Sequence, residues 1–347
     1  MRSSDLPSVP LALTRKQCLR TGESIAAAQE PSGAIPWFPG GHTDPWDHVE
    51  SAMALTVTGF RAEAQAAYRW SAQTQRPDGS WPRQFRAGVV EDANAETNFC
   101  AYLATGVWHH TLCTGDTAFA AQMWPTVRAG VEYVLAQAGP DGRIPWAARD
   151  GGPMAEALVT GCSSIHHSLG CAVALAEAVG DPHPEWAVAQ ARLGEALRSR
   201  PESFAPKDRY SMDWYYPVLG GALRGPAAVA RIDARWDEFV VGNIGIRCVA
   251  DRPWVTGAET CELVLALDAI GDADRAHRLF AAMQHLRESD GSYWTGLVFA
   301  DGKRWPEERT TWTAAAVVLA ADALSRTTPA NGLFRVLTLP APVGVGV

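Results

Sequence analysis

Arg76-Pro77-Asp78-Gly79-Ser80-Trp81 is a Pro-Asp-Gly turn closed by a tryptophan, and this 347-residue chain repeats the theme. It returns in Glu30-Pro31-Ser32-Gly33-Ala34-Ile35-Pro36-Trp37, in Gly139-Pro140-Asp141-Gly142-Arg143-Ile144-Pro145-Trp146 and in Glu288-Ser289-Asp290-Gly291-Ser292-Tyr293-Trp294. Pro, Asp and Gly supply the chain reversal, and recurrence at intervals marks an internal repeat. Around these loops lie alanine-rich segments with apolar residues at three- and four-residue spacing, the pattern of helices. They cover 11–29, 45–58, 60–75, 94–114, 117–137, 157–179, 184–199, 212–224, 226–240, 257–270, 272–287 and 309–325. Twelve helices are predicted, and no strand-like alternation of comparable length competes with them.

The other connections are short: Thr58-Gly59, Gly115-Asp116, Gly180-Asp181-Pro182 and Gly271-Asp272. Each places Gly or Asp where one helix stops and the next is capped. The unit is therefore helix, aromatic loop, helix, short turn. Six such hairpins predict an all-α (α/α)6 toroid, an inner ring of six helices inside an outer six. The long loops then gather at one end, above the N-termini of the even-numbered helices. Those helices are the more apolar, for example 157–179 and 311–324, as helices buried all round should be. The odd ones, such as 186–198 and 272–287, are amphipathic and charged. Residues 1–326 are expected to form one catalytic domain, with the Pro/Gly/Val-rich 327–347 as a tail.

Composition narrows the function. A net charge of −8 without a basic block argues against a nucleic-acid partner. The N-terminus lacks an apolar signal core, and no run of about 18 apolar residues is present, which argues against a membrane partner. Seven scattered cysteines without CxxC pairs suggest free thiols, a cytoplasmic location, and neither a metal nor a cofactor. The 14 tryptophans are the unusual count; a flat indole packs cores but also stacks on sugars.

The candidate site is the set of inner-helix N-termini. The first brings His42, Asp44, Trp46, Asp47 and His48, and the second Asp92, Asn94, Glu96 and Asn98. The third brings His166 and His167, the fourth Tyr210, Asp213, Trp214, Tyr215 and Tyr216. The fifth and sixth bring Arg252, Trp254, Glu259 and Glu262, then Trp305, Glu307, Glu308, Arg309 and Trp312. Carboxylates among aromatics fit cleavage of a glycosidic bond, which needs one acid to protonate the leaving oxygen and one carboxylate to activate water or attack.

Most of these residues have a structural reading too. Asp44-Pro45-Trp46-Asp47 parses as a cap, a proline at the first helical position and a first-turn acid that meets the helix dipole. Thr256-Gly257-Ala258-Glu259 parses as a capping box. Asp213 can cap a helix or sit on a sugar platform of Trp214 and Tyr215, and His166-His167 can be a core pair or a base. Glu262 differs. It lies one turn deeper, in Thr260-Cys261-Glu262-Leu263-Val264-Leu265, where capping does not explain an acid. A carboxylate there is costly unless it faces a polar cleft or a partner, and such surroundings can tune its pKa. The set expected to bind an oligo- or polysaccharide is His42, Trp46, His48, Asn94, Glu96, Asp213, Trp214, Tyr215, Trp254, Glu259 and Trp312.

The twelve-helix pattern with aromatic loops resembles the six-hairpin glycosidase superfamily, including its glucoamylase-like and trehalase-like inverting enzymes, over nearly the whole chain. More closely, Trp37-Phe38-Pro39-Gly40-Gly41-His42-Thr43-Asp44-Pro45-Trp46-Asp47-His48 and Thr256-Gly257-Ala258-Glu259-Thr260-Cys261-Glu262 look like a small actinobacterial family often labelled prenyltransferase. That family includes a mycobacterial methylmannose-polysaccharide hydrolase, an endo-acting α-1,4-mannanase. The resemblance implies an inverting endo-glycosidase, with Asp47 and Glu262 mapping onto its acid/base pair. The methylmannose substrate comes from the resemblance alone; the residues themselves reach a polysaccharide at most.

Three other readings stand beside it. Gln75-Arg76-Pro77-Asp78-Gly79-Ser80-Trp81 matches the Gln-xxx-Gly-x-Trp repeat of triterpene cyclases, which are also α-toroids. The Asp-x-Asp-Asp acid of those cyclases, an aspartate-rich diphosphate site and the zinc ligands of a protein prenyltransferase do not appear. A toroid sugar epimerase would rely on His48, His166 or His167. A non-catalytic sugar- or lipid-binding module would need none of the acids.

Overall fold

A computed structural model of the chain describes residues 6–149 and 152–335. The helices come in hairpins: α1 (Arg15–Ala28) with α2 (Pro45–Thr58), α3 (Arg61–Thr74) with α4 (Thr97–Thr114), and α5 (Thr117–Ala136) with α6 (Val159–Val179). Next come α7 (Pro184–Ser199) with α8 (Ser211–Leu219), then α9 (Gly225–Ala234) and one-turn α10 (Trp236–Phe239) with α11 (Gly257–Ile270). The last pair is α12 (Ala273–Ala282) with α13 (Thr311–Ser325). Helices α2, α4, α6, α8, α11 and α13 each pack on the next, and α13 returns to α2, closing the inner ring of an (α/α)6 toroid. Helices α2, α4, α11 and α13 are buried on nearly every face, as their apolar sequences require, whereas α6 is buried along only about half of its residues.

Some boundaries moved for local reasons. Residues 11–14 are not helical, because Thr14 and Gln17 form a capping box that starts α1 at Arg15. The expected helix over 226–240 breaks at Arg235. The long loops hold short strands of two to four residues, too short for alternation to mark them. One sheet joins β1 (His42–Thr43), β2 (Gln84–Arg86) and β3 (Val89–Asp92). A second joins β4 (Ala95–Glu96), β5 (Ala147–Arg149) and β6 (Gly152–Pro153). The third, in spatial order, runs β11 (Lys303–Arg304), β10 (Gly296–Val298), β9 (Trp254–Thr256), β8 (Gly245–Arg247) and β7 (Val240–Val241). Strands β1, β4 and β9 lead almost directly into α2, α4 and α11, so the sheets fix where those helices begin.

The repeated turns are the clips of the outer ring. At Gly79 φ is +89°, and a Cβ would stand 2.2 Å from the Ala129 carbonyl oxygen on α5. Only a glycine fits a turn pressed so closely on a neighbour's backbone. Gln75 completes the clip, donating from Nε2 to the Gly79 carbonyl (3.0 Å) and to the Thr126 carbonyl of α5 (2.9 Å). Gln29 repeats this on Gly33 and on Glu63 of α3. Trp81 donates its indole N–H to the Ser71 carbonyl at 2.7 Å. The Gln-xxx-Gly-x-Trp pattern here is thus a packing device between successive hairpins and carries no chemistry of its own.

Residues 327–335 of the expected tail pack under the ring, at the end away from the loops; 336–347 lie outside the described residues. Arg335 pairs with buried Asp268 at 3.0 Å, Arg224 holds the Phe334 carbonyl at 2.7 Å, and the Phe334 ring stacks on His167 of α6.

Candidate active site

A cleft of about 360 Å³ opens among the loops above the inner helices. His42, Asp44, Trp46 and Asp47 form one side, Arg83, Gln84, Glu96 and Asn98 continue it, and Phe99, Trp146, Leu158, Thr160, Gly161, Met212 and Trp312 complete the lining. Asp47 sits in the first turn of α2, where Asp44 is the N-cap and accepts the Asp47 backbone N–H at 2.9 Å. The positive end of a helix favours an ionised acid. Here the opposite happens: burial, the charge of Asp44, a hydrogen bond between the two side chains, and the charges of Glu50 and Glu262 hold Asp47 well above the usual carboxylate range. Asp47 is 7% exposed.

Glu262 lies deeper and does not line that cleft. It faces a small chamber of about 10 Å³ shared with Trp46, Glu50, Tyr102, Ser164 and Tyr216, room for about one water molecule. Tyr215 donates its hydroxyl to one carboxylate oxygen and Tyr216 donates to the other. Burial and the Glu50 charge raise the Glu262 pKa, while the two tyrosine donors oppose the rise by stabilising the ionised form. Trp46 borders both the cleft and the chamber and stacks on Tyr102 at 4.0 Å.

Glu50, which sequence reasoning passed over, stands between these acids. Its Oε2 accepts the indole N–H of Trp46 at 3.0 Å and of Trp312 at 3.1 Å. Burial pushes its pKa up to about 7 against the pull of those two donors. The signal was available: once α2 is read as an inner helix with no polar face, an acid one turn beyond Asp47 has to be buried. Asn98, which the sequence placed at the start of the second inner helix, is buried beside the cleft with an Oδ1 that has no protein hydrogen bond.

The remaining candidates divide. His42, Trp46, Glu96 and Trp312 line the cleft. Glu96 caps α4 by position but makes no side-chain cap, and burial lifts its pKa to about 7 despite Arg83 at 3.8 Å. Tyr215 reaches the site through Glu262. Asp213 does not line the cleft and meets it only through Thr160, whose hydroxyl it accepts at 3.2 Å. Glu259 is buried one turn above Glu262, and the expected capping box is not formed, because the Thr256 side chain makes no cap bond.

Four candidates point elsewhere. His48 is turned toward α3: its Nδ1 accepts the Ile35 N–H at 3.0 Å and its Nε2 meets the Ala67 carbonyl at 2.9 Å, and burial lowers its pKa to about 4. Trp214 packs on Phe239 and donates to the Arg231 carbonyl, as a core residue does. Asn94 lines a separate groove with Arg76 and Tyr133. Trp254 lies edge-to-face with Trp305 and donates to the Trp305 carbonyl at 2.7 Å, outside the cleft. Of the paired histidines, His166 is occupied by the fold, meeting the Gly220 carbonyl at 2.9 Å, while His167, between Cys171 and Phe334, lines the chamber of Glu262.

Comparison with known proteins adds to this geometry. No protein-family model matches the sequence. Among solved structures, a wild-type glycosidase superposes with a TM-score of 0.69 at 16% identity, covering 89% of this chain and 96% of that one. A D-mannose isomerase does so with a TM-score of 0.66 at 9% identity, covering 88% and 96%. At such identities the likeness is one of fold, and the toroid hosts more than one chemistry. A curated protein of Mycolicibacterium hassiacum, the MMP endo-(1,4)-3-O-methyl-alpha-D-mannosidase, is 67% identical over 335 residues, 96% of this chain and 93% of its own. The toroid, the acids gathered at its centre and that identity along nearly the whole length lead to one assignment: this chain belongs to the family of the MMP endo-(1,4)-3-O-methyl-alpha-D-mannosidase.

Proposed function

We propose that this glycoside hydrolase cleaves internal α-1,4 bonds of a methylmannose polysaccharide with inversion, using Asp47 as general acid and Glu262 as general base. The observation that carries the reading is the two-level arrangement of buried acids. Asp47 borders the open cleft, and burial and neighbouring negative charge raise its pKa well above the usual carboxylate range, as a general acid requires. Glu262 borders the water-sized chamber below, with a tyrosine hydroxyl on each oxygen.

In the proposed reaction Asp47 gives its proton to the glycosidic oxygen as the C1–O bond breaks. A water in or near the chamber attacks C1 from the other face and passes a proton to Glu262. The sugar leaves as a new reducing end of opposite anomeric configuration, and Glu262 returns its proton to Asp47 through solvent. Trp46 and Trp312 give the cleft indole walls suited to a sugar ring. Residues 1–326 are assigned to this catalytic unit. The seven cysteines, none in a disulfide, suit a reducing cytoplasm. Among the described residues, no helix is long and apolar enough to cross a membrane.

The test is digestion of methylmannose polysaccharide, with product sizing and proton NMR of the new reducing ends in the first minutes. Internal fragments that appear first as the β-anomer support the proposal. First appearance of the α-anomer would overturn inversion, and release of single sugars from one end would overturn endo action.

A further inference from the structure

We propose that the α6–α8 side of the cleft is a methyl-recognition wall, in which Leu158 and Met212 receive O-methyl groups of the substrate. This rests on the functional reading above and assigns residues to its specificity.

The six inner helices are capped at their N-termini by Asp44, Glu96, Leu158, Tyr210, Thr256 and Thr310. On the α2–α4 side the cap residues are acids, and the cleft continues with Asp47, Arg83 and Asn98. On the α6–α8 side the cap of α6 is Leu158, the kind of residue a helix N-terminus disfavours, since it leaves the first N–H groups without a side-chain acceptor. Glu96, Tyr210 and Thr256 also make no side-chain cap bond, so what sets Leu158 apart is the apolar side chain it adds to the cleft lining.

Leu158 and Met212 are both partly exposed, and they meet the cleft together with Phe99 and Trp146. Among the residues that this side gives to the cleft lining, the one hydroxyl, that of Thr160, is donated to Asp213. Gly161 keeps the wall open: a Cβ there would have only the Asn98 Cβ near it, at 3.8 Å, so space rather than backbone strain distinguishes the position.

The two halves ask for different sugar edges. A free hydroxyl needs hydrogen-bond partners and loses free energy when pressed on an apolar surface. A methyl ether has surrendered its donor and gains by burying carbon on carbon. Free hydroxyls therefore belong against Asp44, Glu96 and Asn98, and methylated positions against Leu158 and Met212. The flexible Met212 side chain can follow an irregular methyl-bearing face.

The test compares two α-1,4-mannose oligosaccharides of equal length, one 3-O-methylated and one unmethylated, by kcat/KM and by calorimetric affinity on Glu262→Gln protein. Wild type should prefer the methylated chain, and Leu158→Thr or Met212→Thr should lower the methylated-to-unmethylated ratio by about 10-fold, the scale of a small apolar group in a hydrophobic pocket. An unchanged ratio in both variants, with wild-type melting behaviour, overturns the assignment. Equal affinity of the two oligosaccharides for the protein overturns the methyl wall while leaving the hydrolase reading intact. Failure to cleave or bind either one overturns the functional reading beneath it.

Discussion

Trp312, on the last inner helix, donates its indole N–H to Glu50 on the first at 3.1 Å, across 262 residues of chain. Trp46, one turn before Glu50, places a second indole N–H on the same oxygen. The ring is thus closed at its centre by a carboxyl group that holds two walls of the cleft. That group also raises the pKa of both Asp47 and Glu262 through its charge. Removing the charge while keeping the shape separates these roles.

Glu50→Gln should move the whole pH profile of kcat/KM toward acid. The alkaline limb reports loss of the proton from the acid, and the acidic limb reports protonation of the base. Both groups lose a neighbour that favours their protonated forms, so both limbs shift to lower pH. Stability should move the other way. Glu50 rises from 4.5 to about 7 on folding, so its contribution is full below 4.5 and is lost as pH rises through 7. Gln does not titrate, and the variant should therefore gain on the order of 3 kcal/mol relative to wild type by about pH 8, and much less near pH 5. Melting at the two pH values reads this directly; equal differences at both would show that the Glu50 carboxyl does not carry the penalty.

Asp47→Asn and Glu262→Gln should each lower kcat by about 10²- to 10⁴-fold, the usual worth of a positioned acid or base. Both keep the side-chain volume, so circular dichroism and melting should match a folded protein. The two variants differ in one respect. A substrate with a good leaving group, such as an aryl mannoside, needs little protonation and should restore turnover in Asp47→Asn but not in Glu262→Gln. Rescue of Glu262→Gln instead would exchange the two roles.

His48 marks the boundary between neighbouring in sequence and neighbouring in space. It follows Asp47, but one residue along a helix is about 100° around it, and His48 faces α3 of the next hairpin. His48→Ala removes a buried ring that packs 4.5 Å from Trp70 and breaks two hydrogen bonds. The expected cost is about 2–4 kcal/mol of stability. At temperatures where the variant is folded, kcat/KM should stay within a few-fold of wild type. A large loss of activity with unchanged melting would return His48 to the site.

What could be read in the sequence followed from burial. The toroid was legible because the repeated Gly turns and the apolar even-numbered helices say which helices are inside. Glu262 stood out because an acid amid Leu263-Val264-Leu265 has no structural excuse. Glu50 met the same criterion but looked like an ordinary helix acid beside Ser51 and Ala52, since small residues do not announce burial. The capping box at Thr256 failed for a related reason: local sequence fits the motif, but the inner-ring packing leaves Thr256 Oγ1 without a partner. Strands of two to four residues lie below any periodic signal.

The last repeated turn makes the final prediction. Gly291 has φ of +92° and lies against α1, where a Cβ would meet the Arg20 carbonyl oxygen at 2.4 Å. The same loop is tied there by Arg20, which donates to the Ser289 carbonyl at 3.1 Å. This is the contact by which the sixth hairpin clips onto the first and closes the outer ring. Gly291→Ala imposes a left-handed conformation on a residue with a Cβ and forces the turn off α1. It should cost about 2–4 kcal/mol. Gly271→Ala is the control: φ there is +82°, but open space surrounds the added Cβ, so only the backbone strain of about 1–2 kcal/mol applies. Denaturant melting of both variants checks the difference; equal destabilisation would mean that ring closure at α1 adds nothing to stability.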